Sequence, residues 1–140
     1  MQARVKWVEN MAFVVESGSG HSVVIDGPPE LGGRNLGPRP MELLLMGVGA
    51  CSSVDVVMIL KKARQAVVDC VCELKAERAD TEPKVFTGIH LQFIVTGKGM
   101  NPTQVERAVQ LSAEKYCSAS IMLGKAGVKM THGFEIREPA

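Results

Sequence analysis

Residues 40–64 read PMELLLMGVGACSSVDVVMILKKAR, and this stretch decides the fold. Pro40 suits a first helical turn, where its missing N–H would have had no partner anyway. Glu42 sets an acid at the positive end of the helix dipole, while Lys61, Lys62 and Arg64 set cations at the negative end. The spacing therefore predicts one long helix from about Pro40 to Ala63. Apolar side chains occur on all its faces, so it needs covering all round. The run from Leu43 to Leu60 is nearly long enough to span a bilayer. Gly47, Gly49, Ser52, Ser53 and above all Asp55 argue against that, because a central charge is costly in lipid. The expectation is a helix buried in protein, with no membrane partner.

Upstream of the helix, GPPELGGRNLGPRP (residues 27–40) holds four glycines and four prolines, too many for a helix or a central strand. A loop this long is either a candidate site wall or a plain connector, and the residues favour neither. Before it, VKWVEN, MAFVVES and HSVVIDG are separated by Asn10 and by Ser17-Gly18-Ser19-Gly20, the pattern of a small antiparallel meander.

Downstream, residues 68–79 (VDCVCELKAERA) and 85–96 (VFTGIHLQFIVT) alternate apolar and polar residues as two more strands. Ile89, Leu91, Phe93 and Val95 fall on one face of the second. Asn101, Pro102 and Gln104 form a helix start with a cap, a first-turn proline and a glutamine three residues after the cap. Val105, Ala108, Val109, Ser112 and Tyr116 recur at helical spacing, so this helix ends near Cys117. SASIMLGKAG reads as a short further turn and VKMTHGFEI as a closing strand.

The order βββ, α, ββ, α, β predicts an α+β fold, with antiparallel sheets packed on the central helix, as a single domain over residues 1–140. One small sheet and one amphipathic helix are too little to cover the apolar helix. A second subunit is expected to supply the rest, making the chain a homodimer.

Sixteen Lys plus Arg against fifteen Asp plus Glu leave a net charge of +1, which gives no field for steering a polyanion. Only six aromatic residues are present, too few for a base-stacking platform, so no nucleic acid partner is expected. The opening MQARVKWVEN lacks the apolar run of a signal peptide, and a cytoplasmic location is expected. His21, His90 and His132 are scattered without ligand spacing and no CxxC pair occurs, so no metal or other cofactor is implied.

Chemistry falls to the four cysteines. Cys51 lies mid-helix, where a free cysteine commonly packs as a small hydrophobe. Cys117 ends the second helix and precedes Ser118-Ala119-Ser120, a turn able to open the next one, and backbone N–H groups at a helix start favour a thiolate. Cys70 and Cys72, two apart on a strand, point to one face and read as core.

The run Pro40-Met41-Glu42-Leu43-Leu44-Leu45-Met46-Gly47-Val48-Gly49-Ala50-Cys51, followed after an amphipathic helix by Lys115-Tyr116-Cys117, resembles the OsmC/Ohr family, the osmotically inducible and organic hydroperoxide resistance proteins. The resemblance spans nearly the whole chain and is nearest to the family's OsmC-like branch. It implies an intertwined homodimer with two interfacial sites of two cysteines each. Carried over by position, Cys51 is the peroxidatic thiol and Cys117 the resolving one. A thiolate attacks the peroxide O–O bond, becomes a sulfenic acid and condenses with the second thiol. An external dithiol reductant then restores both thiols by exchange. Apolar surroundings suit organic hydroperoxides.

The family's peroxidases add an arginine paired with a glutamate that directly follows the proline. Here that place is Met41 and the acid is Glu42. Nine residues back from Cys51 is about 180° round a regular helix, whereas ten would be about 80°. Glu42 is thus aimed away from Cys51 unless the first turn is distorted, and it reads equally as an acid favouring the dipole. Arg34 matches a loop arginine of one branch, Arg39 is the other candidate, and solvated surface charge is the alternative for both. Ser118 stands where a proline often follows the second cysteine. The competing reading is a dimer of the same fold that binds a small apolar molecule without peroxide turnover.

Overall fold

The apolar stretches at the start of the chain form β1 (Ala3–Glu9), β2 (Ala12–Ser17) and β3 (Ser22–Asp26), an antiparallel meander in the order β1-β2-β3. Val15 stands opposite both Val5 and Val23, and Phe13 opposite both Trp7 and Ile25. The computed structural model describes residues 1–140 and divides them into two compact units, Met1–Leu44 and Leu45–Ala140. The meander belongs to the first.

Asn10 turns the chain between β1 and β2 with a φ of 48°, a left-handed conformation that asparagine tolerates. The Gly/Pro segment is organised by Asp26, whose Oδ2 accepts from the backbone N–H of Arg34 at 3.0 Å and of Leu36 at 3.3 Å. The Arg34 N–H chiefly, with those of Leu36 and Gly27 and the Arg34 charge, holds this carboxyl below the usual carboxylate range against the opposing effect of burial. Gly37 runs so close to the Val24 carbonyl that a Cβ there would overlap it.

α1 (Pro40–Lys62) is the expected long helix. By length and composition it would also cross a membrane, yet Val48, Gly49, Ser52, Val56 and Leu60 are packed into a core. Burial within the chain is one-sided: Met46, Val54 and Met58 are exposed. The reason is geometric, since an open sheet covers only one face of a helix.

In the second unit, β4 (Val67–Arg78), β5 (Phe86–Gly97) and β6 (Lys129–Arg137) form a sheet in that order. Phe86, Ile89, Leu91, Phe93 and Val95 of β5 are buried, the face that the alternation assigns to the core. Leu74 of β4 lies under α1 so closely that a Cβ on Gly49 would stand 2.6 Å from its Cδ1. β4 and β5 are antiparallel, but β6 runs parallel to β5, which corrects the expectation of wholly antiparallel sheets. The chain between β5 and β6 is a helical crossover long enough to return it to the same end of the sheet, the connection a parallel pair requires.

That crossover begins with α2 (Pro102–Leu111), capped by the Asn101 side chain accepting from the Thr103 N–H, and buries Val105, Ala108 and Val109. It does not continue as regular helix to Cys117. Residues Ser112–Tyr116 form a π turn, closed by the Cys117 N–H donating to the Ser112 carbonyl at 2.8 Å. α3 (Ser118–Lys125) follows, a helix of two turns with Cys117 as its N-cap.

Candidate functional site: a buried thiol pair

Cys51 is half-buried on α1, next to Ser52 of the core face. Cys117 is 0% exposed. Its sulfur accepts from the Ser52 hydroxyl at 3.1 Å and from the Ser120 N–H at 3.4 Å. Burial pushes the Cys117 thiol up, and the neighbouring Cys51 adds to this through a side-chain hydrogen bond and its charge, while the Ser52 and Ser120 donors pull it down. The structure therefore brings Cys51 and Cys117 together. The helix start places a backbone N–H donor on Cys117, and enclosure outweighs its effect on the thiol.

Behind this pair, the Ser112 hydroxyl lies 3.3 Å from the Ser52 carbonyl and 3.2 Å from Asp55 Oδ2, with one hydrogen to share between the two acceptors. Ser52 and Ser112 are 2% and 1% exposed, so these are interior bonds. A cavity of about 250 Å³ adjoins them, walled by Ser52, Ser112, Ser120, Leu91, Phe93 and His132 among others. Cys117 itself does not line it.

Cys70 and Cys72 are half-buried on one face of β4, as their spacing predicts. Burial above all raises both thiols. Cys72 is pushed up to about 11, its neighbours Cys70 and Cys117 adding to the rise and a hydrogen bond with Ser53 opposing it. At Cys70 the Asp69 charge adds to burial. Burial, with a neighbouring negative charge in each case, makes both poor nucleophiles at neutral pH.

Arg34 and Glu42 belong to the first unit and do not pair with each other. Arg34 Nη2 lies 2.8 Å from Glu9 Oε1, an exposed ion pair of the kind worth little. Glu42 Oε1 accepts from the Arg39 N–H at 2.9 Å, and the Arg39 guanidinium stands 3.8 Å away. Glu42 thus closes the first turn of its own helix, the acid end of a capping box. Arg39 Nη1 also donates to Asn35 Oδ1 at 2.7 Å.

Of the histidines, His132 lines the cavity behind the pair and His90 is engaged elsewhere. His90 meets Thr131 Oγ1 at 2.7 Å and Gln92 Oε1 at 3.2 Å, and no group of three or more His, Cys, Asp or Glu side chains is placed to share a metal ion. In the first unit, Val5, Val15, Val23, Leu43 and His21 help to line an apolar groove of about 460 Å³.

Sequence reasoning did not assign Ser52, Ser112 or Ser120 to the site. Ser112 carried a signal, a hydroxyl on the apolar face of its helix. Asp55 carried another, a charge in an otherwise apolar helix. Neither pattern names its partner.

A family model described as OsmC-like protein matches residues 32–133. Protein YhfA of Escherichia coli strain K12 is 52% identical over 136 residues, covering 97% of this chain and 98% of its own. A hypothetical protein from Aquifex aeolicus VF5 superposes with a TM-score of 0.86 at 32% identity, over 99% of this chain and 97% of that one. An organic hydroperoxide resistance protein OsmC from Legionella pneumophila has the same fold, with a TM-score of 0.70 at 22% identity over 96% and 95% of the two chains.

Proposed function

The chain belongs to the family of OsmC-like proteins, and from that premise we propose that it is a thiol-dependent reductase of organic hydroperoxides, with Cys51 peroxidatic and Cys117 resolving. The observation that carries this reading is the adjacency of Cys51 and Cys117, with two donors fixed on the second sulfur.

The Cys51 thiolate attacks one oxygen of ROOH, the O–O bond breaks, and the alkoxide takes a proton to leave as ROH. Cys51 is now a sulfenic acid. The Cys117 thiol condenses with it, forming the S–S bond and releasing water. An external dithiol donates two electrons to return both thiols.

The working unit in this reading is a cytoplasmic homodimer, in which a second copy covers the exposed Val54 and Met58 of α1. It takes no nucleic acid or membrane as partner. Arg34 and Glu42 serve the site only if they exchange their present partners Glu9 and Arg39. That engagement favours a second reading, a dimer of the same fold that holds a small apolar molecule without turnover.

The deciding experiment treats the reduced protein with stoichiometric cumene hydroperoxide and determines intact mass and peptide linkage without reductant. Loss of two hydrogens mapped to a Cys51–Cys117 bond is the expected result. A free Cys51 thiol beside unconsumed peroxide would replace this reading with the second one.

A further inference from the structure

The two sulfurs of the pair are not equivalent. Cys51 is half-buried, whereas Cys117 is wholly enclosed, and its bonded neighbours Ser52 and Ser120 line the adjoining cavity while Cys117 does not. Only Cys117 carries two fixed donors, the Ser52 hydroxyl at 3.1 Å and the Ser120 N–H at 3.4 Å. A sulfur in that setting is hard to reach, and its two donors offset part of the cost that enclosure sets on its negative charge.

We propose that Ser52 sets the direction of disulfide exchange at this site: an external dithiol attacks Cys51 Sγ, and Cys117 Sγ is expelled as a thiolate onto the Ser52 hydroxyl and the Ser120 N–H. This rests on the reading of Cys51 and Cys117 as a redox pair. One thiolate of the dithiol forms a bond to Cys51 Sγ while the Cys51–Cys117 bond breaks, and its electron pair leaves on Cys117. The second thiol of the reductant, once deprotonated, attacks its own sulfur in the mixed disulfide. Cys51 then leaves as a thiolate, and the reductant departs as a cyclic disulfide, oxidised by two electrons. Cys117 takes up a proton afterwards.

Two features favour this order. Cys51 is the sulfur that an external thiol can reach, and the Ser52 and Ser120 donors lower the cost of charge on a Cys117 leaving group that burial alone would raise. The influence of Cys51 on Cys117 also changes during the step. A Cys51 thiolate opposes charge on Cys117, but a Cys51 tied up in the mixed disulfide carries none. Ser112 and Asp55 act one step back as positioning residues, since the Ser112 hydroxyl meets both the Ser52 carbonyl and Asp55.

The test uses the full chain. Diamide forms the disulfide without peroxide, and a brief exposure to 2-mercaptoethanol, a monothiol, followed by acid quench and peptide mass analysis, locates the mixed disulfide. The adduct is expected on Cys51, with Cys117 free. An adduct on Cys117 overturns the inference.

With dithiothreitol as reductant, Ser52→Ala should slow reduction by at least about tenfold, and Ser52→Thr, which keeps the hydroxyl, should restore most of the rate. In a chain carrying Cys51→Ser, Cys70→Ser and Cys72→Ser, adding Ser52→Ala should move the thiolate absorbance of Cys117 to higher pH. A titration and a rate that do not move would reduce Ser52 to a structural residue and sink the proposal. A chain that ignores hydroperoxide yet gives the Cys51 adduct loses only the peroxidase reading. Failure of diamide to join Cys51 to Cys117 removes both.

Discussion

The Ser112 hydroxyl stands 3.2 Å from Asp55 Oδ2, so the one charge within the apolar run of α1 is tied to the turn that delivers Cys117. The same hydroxyl lies 3.3 Å from the carbonyl of Ser52. A single buried side chain therefore keeps two segments of the thiol site in register. Ser112→Ala removes the only donor of that tie and leaves a carboxylate oxygen short of a partner. We expect a loss of about 1–3 kcal/mol of stability. Urea unfolding would show a lower midpoint with an unchanged slope, and a midpoint equal to wild type would show that the tie carries no net stability.

Cys72 makes stability depend on alkaline pH. Its thiol is raised from 9.0 to about 11, so the folded chain resists ionisation that the unfolded chain permits. The associated stability is fully present below pH 9.0 and is lost as pH climbs toward 11. Because Cys72 is half-buried, the effect is about 1–2 kcal/mol rather than the full value of the shift. Cys72→Ala should flatten the fall in unfolding free energy across that window relative to wild type. Parallel curves for the two proteins would refute it.

Gly49 and Leu74 are a matched pair. A Cβ on residue 49 would stand 2.6 Å from Leu74 Cδ1, so Gly49→Ala forces the leucine or the helix to move, at a cost of about 1–3 kcal/mol. Leu74→Ala opens the space, and in its background Gly49→Ala should be neutral or stabilising through its gain in helix propensity. Additive losses in the double-mutant cycle would show that the contact relaxes freely.

The exposed Val54 and Met58 give α1 an apolar face that a second copy would cover. Sedimentation at micromolar protein should report twice the chain mass, and Val54→Glu with Met58→Glu should return it to one. A wild-type protein that sediments as a single chain would contradict the proposed dimer.

The strands and the long helix were legible because each rests on a local period: alternation in Ile89, Leu91, Phe93 and Val95, and charged ends around an apolar run in Pro40–Lys62. The direction of β6 was not, since alternation says which face a residue takes and nothing about whether the neighbouring strand runs with it or against it. The two sulfurs of the site were legible as residues through the family resemblance. Their donors were not, because a serine that holds a buried sulfur and one that faces water have the same letter. Glu42 illustrates the reverse case, where the plain reading as an acid at a helix start agrees with its bond to the Arg39 N–H.

The π turn at Ser112–Tyr116 closes with a bond spanning five residues where an α-helix spans four. In effect it is a phase adjuster: one residue too many for the helix, absorbed locally. Shortening the segment by one residue would let the helix run on regularly and swing whatever follows by about 100°. The direction in which Cys117 faces is thus encoded by a residue count rather than by any residue's chemistry, and side chains at 113–116 are freer to change than the number of them.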